Sequence, residues 1–167
     1  SPVAGNIASA SETPSIAAKT LAPEMVEDSD KFRRYLAREP VGVVFIIAPW
    51  NYPYLTTINT LVPALIAGNT VVLKHASQTL LVGERLAEAF HAAGIPEDVF
   101  QNVVLDHTTT EALIGRRSFG FVNFTVDVRG GQAIERAAAG TFTPLGLELG
   151  GETQEGVHDP HRALGLS

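Results

Sequence analysis

One segment limits the choice of fold more than any other. Residues 43–48 read Val-Val-Phe-Ile-Ile-Ala, an uninterrupted apolar run of strand length. Strands buried on both faces read this way, and they occur mainly in parallel sheets that helices cover on both sides. The run ends in a turn sequence, Pro49-Trp50-Asn51-Tyr52-Pro53. The pattern therefore predicts an α/β fold with this turn at the carboxyl end of a buried strand.

The rest of the chain alternates between strand and helix patterns. Strands are predicted at 41–48, 70–73, 99–105, 120–125 and 144–149, and helices at 56–67, 79–93, 109–116 and 130–139. Such alternation is typical of βαβ units with right-handed crossovers. We predict a Rossmann-like parallel sheet with helices on both faces. A further helix is predicted at 24–38, where Glu39-Pro40 ends it.

Composition argues against several classes of function. Of 167 residues, 45% are hydrophobic and 18% charged, which is typical of a folded globular chain. The net charge of -6 argues against a nucleic-acid partner. No apolar run has the length of a membrane span, and residues 1–20 lack a signal-peptide pattern, so we expect a cytoplasmic protein without a membrane partner.

The sequence contains no cysteine, which excludes disulfides, thiolate metal sites and a cysteine nucleophile within the chain. His158 and His161 have loose metal-like spacing, but two histidines in a polar tail are more often plain polar residues. We expect no metal site.

Asn51 is the first candidate for chemistry. Ligands of open α/β sheets bind at the carboxyl ends of the strands, where a preorganised amide donor can stabilise an oxyanion. The alternative is that Asn51 hydrogen-bonds its own turn backbone, as asparagine commonly does. Taken by itself, the turn favours this alternative.

Five segments occur in a fixed order along the chain: Pro49-Trp50-Asn51-Tyr52-Pro53, the run 63–74 ending in Lys74, Ala93-Gly94-Ile95-Pro96, residues 121–125 and Leu147-Glu148-Leu149-Gly150-Gly151. Together they closely resemble the aldehyde dehydrogenase superfamily, over about residues 24–151. The resemblance implies NAD(P)-dependent oxidation of a small-molecule aldehyde to an acid. In that family, a cysteine thiolate attacks the aldehyde, hydride passes to the nicotinamide, and water hydrolyses the thioester. Full-length relatives are expected to be homo-oligomers.

The resemblance also assigns roles to single residues. Asn51 matches the oxyanion-stabilising amide, and Glu148 matches the general base. A buried carboxylate would hold its proton more tightly, which suits base catalysis near neutral pH; the alternative is a surface glutamate. Cofactor-binding residues implied by the match are Pro49, Trp50, Lys74, Ser77, Gly131 and Leu149.

Lys74 is expected to end its strand and to hydrogen-bond ribose hydroxyls, the alternative being a solvated lysine. Gly131 is expected near the pyrophosphate, where a helix begins. A glycine pair that opens a helix can also be ordinary loop chemistry. His75 could reach a phosphate, but a surface position is the expected one.

The sequence departs from the family in several places. Val126-Asp127 replaces the usual Gly-Ser turn; the stiff valine and the added negative charge should weaken cofactor binding. Ser77 replaces a glutamate that disfavours a 2′-phosphate, so both NAD and NADP remain possible. The match stops after Gly151, and the catalytic domain with its cysteine is missing.

We therefore divide the chain into an arm with a helix remnant (1–37), an NAD(P)-binding domain (38–151) and a non-homologous, disordered tail (152–167). On this interpretation the Rossmann-like sheet is truncated, and the chain alone is expected to be inactive as an enzyme. The alternative is a non-catalytic nucleotide-binding module or an inert gene remnant.

Overall fold

The computed structural model of the chain describes residues 17–126 and 128–149. Its strands, in chain order, are β1 (Glu24–Asp28), β2 (Arg33–Leu36), β3 (Val43–Ala48), β4 (Thr70–His75), β5 (Phe100–Asn102), β6 (Phe121–Val126) and β7 (Leu145–Leu149). Its longer helices are α1 (Pro53–Ile66), α2 (Leu80–Ala92), α3 (His107–Gly115) and α4 (Val128–Ala138). Residues 17–21 are also helical, and a 3-10 turn spans Ser77–Thr79.

Five of the strands form one parallel sheet in the order β5-β4-β3-β6-β7. The chain winds outward from β3 to β4 and β5, then returns to the other side of β3 with β6 and β7. The order therefore reverses between β3 and β6, as in doubly wound α/β folds. The predicted Rossmann-like sheet is confirmed.

The apolar run of β3 explains why helices cover both faces. Successive side chains of a strand point to opposite faces. Val44, Ile46 and Ala48 pack in one core with residues of α1 and α2, which include Leu61 and Leu86. Phe45 and Ile47 pack in a second core with α3 and α4, which contribute Ile114 and Ile134. Because successive residues of β3 face one core and then the other, every position of the strand needs an apolar side chain.

The helix predicted at 24–38 is wrong. β1 and β2 form an antiparallel hairpin in which Met25 lies opposite Tyr35. The connection contains polar turn residues, and the Ser29 amide donates to the Phe32 carbonyl oxygen at 2.9 Å. Turn chemistry and cross-strand pairing therefore prevail over the helical spacing of the apolar residues.

Several strand boundaries also differ from the prediction, among them those of β3, β4 and β5. β4 continues through Lys74 to His75, because these residues pair with Ile47 and Ala48 of β3. β5 covers only 100–102 of the predicted 99–105, and it is an edge strand with one neighbour. Within 17–126 and 128–149, no helix has the length and apolar character of a membrane span.

Candidate functional site

A pocket of about 150 Å³ opens at the carboxyl end of the sheet, between α3 and α4. It lies where the strand order reverses, between β3 and β6, which is the usual ligand position in such sheets. Its walls are mainly apolar. The lining residues are Ile47, Ala48, Lys74, Ala76, His107, Thr110, Glu111, Phe124, Gly130, Ala133 and Ile134.

Lys74 contributes a buried cation to this pocket. The residue is only 6% exposed, and its ammonium donates one long hydrogen bond, 3.4 Å, to the His75 carbonyl oxygen. The ion pairs found among the described residues lie elsewhere, on the hairpin and on α2. Burial lowers the pKa of Lys74 from its ordinary value. The alternative of a solvated lysine is wrong, and the ammonium retains hydrogens for a ligand.

His75 is also buried, with 2% of its surface exposed. Its Nε2 lies 3.4 Å from the Thr57 hydroxyl, and its Nδ1 lies 3.3 Å from the Thr79 hydroxyl. Burial, helped by the positive charge of Lys74, lowers the pKa of His75 to about 4. The expected surface position of His75 is wrong, because β4 runs two residues further than predicted.

The turn that carries Asn51 begins directly at the end of β3. Pro49 is buried, whereas Trp50 is 56% exposed. Tyr52 has φ 48°, a left-handed conformation that reverses the chain before α1 begins at Pro53. Asn51 itself is half-buried, and no described residue hydrogen-bonds its side-chain amide. The alternative that Asn51 satisfies its own turn backbone is therefore not found in the structure.

Glu148 lies on the other side of the switch point. It is exposed, in β7, and pairs with Thr125 of β6. One strand separates β7 from β3, so the two strands are about 10 Å apart. The structure therefore shows the alternative, a surface glutamate. Leu149 follows in the same strand, with its backbone opposite Val126.

The remaining predicted cofactor residues lie nearby. Ser77 is exposed in the 3-10 turn that follows Lys74, and its hydroxyl donates to the Gln78 Oε1 at 3.3 Å. Gly131 is buried in α4, which begins at Val128, two residues earlier than predicted. Its neighbour Gly130 lines the pocket.

The sequence interpretation missed three pocket residues on α3: His107, Thr110 and Glu111. The missed signal was Asp106, whose carboxylate accepts the Thr109 backbone N–H at 2.7 Å and caps the helix. Hydrogen bonds from Thr109 lower the pKa of this carboxyl. An aspartate three residues before Thr109 indicates a helix that starts at residue 107.

Some expectations concern residues outside the described part of the chain. They are the arm before residue 17, Asp127, the Gly150-Gly151 pair and the tail with His158 and His161. Between residues 17 and 149, Asp127 excepted, the structure brings no three His, Asp or Glu side chains together as metal ligands.

Comparisons with known proteins identify the family. The sequence profile of the aldehyde dehydrogenase family matches residues 4–161. The 2-hydroxymuconic semialdehyde dehydrogenase of Pseudomonas sp. (strain CF600) is 40% identical over 121 residues, which are 71% of this chain and 25% of that protein. The chain spans about a quarter of the length of the curated relatives that it matches.

Solved structures agree in fold. The succinic semialdehyde dehydrogenase of Streptococcus pyogenes, a complex with NADP+, superposes with a TM-score of 0.74 at 29% identity, over 81% of this chain and 30% of that one. A double mutant of the betaine aldehyde dehydrogenase of Staphylococcus aureus, in complex with NAD+, gives a TM-score of 0.71 at 31% identity, over 77% and 26%. The chain belongs to the aldehyde dehydrogenase family.

Proposed function

We propose that this chain binds NAD or NADP in the crevice between α3 and α4, as the cofactor-binding part of an enzyme that oxidises an aldehyde to a carboxylic acid. The buried ammonium of Lys74 is the observation that carries the proposal. A buried charge is stable only with partners, and no carboxylate among the described residues supplies one. Ribose hydroxyls or a phosphate would complete its hydrogen bonds.

The surroundings of Lys74 fit a dinucleotide. The apolar walls suit a flat ring system, since ligand pockets combine apolar surface with a few polar groups. α3 and α4 both follow strands and begin at the carboxyl edge of the sheet, so their N-terminal amides favour an anion there. Bound NAD(P) would accept the hydride of the reaction.

Two residues of the chain would serve the reacting carbonyl. The Asn51 amide donates to the developing oxyanion. This role is supported by its turn, which follows the pocket residue Ala48, and by donors that no described residue uses. Glu148 takes a proton from the water that releases the acid.

The thiolate that the family uses is absent from these 167 residues. We therefore propose that the chain by itself binds cofactor without oxidising aldehydes. The missing cysteine equally favours the second candidate, a nucleotide-binding module without catalysis. Formation of NADH or NADPH from an aldehyde, abolished by Asn51→Ala, would contradict both statements.

Calorimetric titration with NAD+ and NADP+ tests the proposal. We expect binding that Lys74→Met weakens at least tenfold, equivalent to about 1.4 kcal/mol. Lys31→Met is the matched control, because Lys31 is exposed beside the hairpin. Ser77→Glu should weaken NADP+ more than NAD+, since it adds a negative charge beside the 2′-phosphate. Absence of binding, or equal affinities for the two lysine variants, would overturn the cofactor assignment.

A further inference from the structure

A buried side chain connects the two segments that carry the proposed site. His75 bonds through Nε2 to Thr57 of α1 and through Nδ1 to Thr79, the last residue of the 3-10 turn. Thr57 lies one helical turn after Pro53, which follows the Asn51 turn. Thr79 ends the segment that runs from Lys74 through Ser77. The imidazole therefore lies between these segments.

The hydrogen-bond roles follow from the neighbours. The Thr57 hydroxyl donates to the Pro53 carbonyl oxygen at 2.7 Å, so its oxygen is left to accept from Nε2–H. Nδ1 then accepts the single hydrogen of the Thr79 hydroxyl at 3.3 Å, in place of the longer contact of 3.4 Å from that hydroxyl to the Ala76 carbonyl oxygen. A neutral imidazole with its proton on Nε2 satisfies both bonds at once, because one nitrogen donates and the other accepts.

The backbone gives these segments one further connection. Ala48 and His75 are register partners in the sheet, and the Ala76 amide donates to the Ala48 carbonyl oxygen at 3.1 Å. Beyond that bond β3 and β4 end, and each of the two segments continues as a turn. Past the ends of these strands, side-chain contacts help to place the two segments relative to each other. The buried side chain of His75 bonds to Thr57 on one side and to Thr79 on the other.

We infer that His75 is a positioning residue, which fixes the turn of Asn51 relative to the segment of Lys74 and Ser77. The roles of those residues toward aldehyde and cofactor rest on the proposed function. The link itself does not, because His75, Thr57 and Thr79 of this chain make it by themselves. An aliphatic residue at position 75 would keep the apolar packing but could not bond to both threonines.

Amide hydrogen exchange in the ligand-free chain tests the link. Thr57→Val removes the α1 side of the bridge, and we expect exchange at the amides of Ala76 and Thr79 to rise on the order of fivefold. Thr79→Val should raise exchange in the same way at the amide of Thr56, which donates to the Tyr52 carbonyl oxygen at 3.1 Å. Each effect appears in the segment that was not mutated, which a local loss of packing does not produce.

Thr56→Val is the matched control. The Thr56 hydroxyl donates to the Tyr52 carbonyl oxygen at 3.1 Å, one position from Thr57, but it does not bond to His75. Thr56→Val should leave the amides of Ala76 and Thr79 unchanged. Thr57→Ser, which keeps the hydroxyl, should restore the parent exchange rates at both.

The inference is overturned if Thr57→Val and Thr56→Val give equal exchange at Ala76 and Thr79. Should Thr57→Val not fold, nitrogen-15 spectra of the parent decide the matter: a proton on Nε2 of His75 supports the bridge, and a proton on Nδ1 refutes it. Titration of Thr57→Val with NAD+ is a separate arm. If Thr57→Val changes amide exchange but leaves the affinity for NAD+ unchanged, the bridge through His75 is supported and the proposed function is contradicted.

Discussion

The buried neutral imidazole of His75 makes the stability of the chain depend on pH. Its pKa is about 4 in the folded chain and 6.5 for an ordinary histidine, so the unfolded chain takes up this proton first. The stabilisation is complete above pH 6.5 and is lost as the pH falls through 4. A shift of this size is worth at most about 3 kcal/mol, of which about 2 kcal/mol is lost between pH 8 and pH 5.

Urea unfolding at pH 8 and pH 5, at one salt concentration, measures this loss. Other groups also titrate in this range, so the comparison is with His75→Gln. Glutamine does not titrate, and its amide can donate to Thr57 in place of Nε2. We expect the free energy of unfolding to fall by about 2 kcal/mol more in the parent than in the variant. An equal fall in both proteins would refute the burial of a neutral His75.

Three further outcomes follow from the site and the sheet. Lys74→Met should raise the free energy of unfolding by about 0.5–2 kcal/mol in thermal or urea melts, because it removes a buried charge; a less stable variant would mean that the ammonium has a partner in the free chain. Gly120→Ala should destabilise the chain by about 1–3 kcal/mol, since its Cβ would collide with the Val41 carbonyl oxygen; an unchanged urea midpoint would contradict this contact. Val126→Gly combined with Asp127→Ser should tighten NAD(P) binding at least about tenfold in paired titrations; equal affinity would show that this turn does not face the phosphates.

Much of the sheet could be predicted because its residues are constrained from both sides. The run 43–48 is apolar at every position since each face of β3 packs in its own core. The hairpin could not be predicted in this way. Its larger side chains, including Met25, Phe32 and Tyr35, are all more than half exposed, so no buried face imposes a period on the sequence.

The site was predictable only in part, because contacts between residues distant in sequence decide how its side chains are buried. Lys74 was identified by resemblance, but its burial depends on pairing with Ile47, which is a long-range contact. His75 interrupts an apolar strand, and only Thr57 and Thr79 explain how it is satisfied there. Glu148 has apolar neighbours in sequence, yet successive side chains of a strand point to opposite faces, so Leu147 packs against the second core while Glu148 is exposed.

Nuclear magnetic resonance titration of the labelled chain with NAD+ and NADP+ tests the central claim most directly, because it locates the ligand as well as detecting it. We expect the largest shift changes at the amides around the crevice, namely Ala48, Lys74, Ala76, Gly130 and Ala133, and we expect Lys74→Met to weaken them at equal nucleotide concentration. A second, more open groove lies between α2 and β5, with Glu84 and Gln101 among its lining residues. Changes centred on that groove, or no changes with either nucleotide, would contradict the proposed cofactor site.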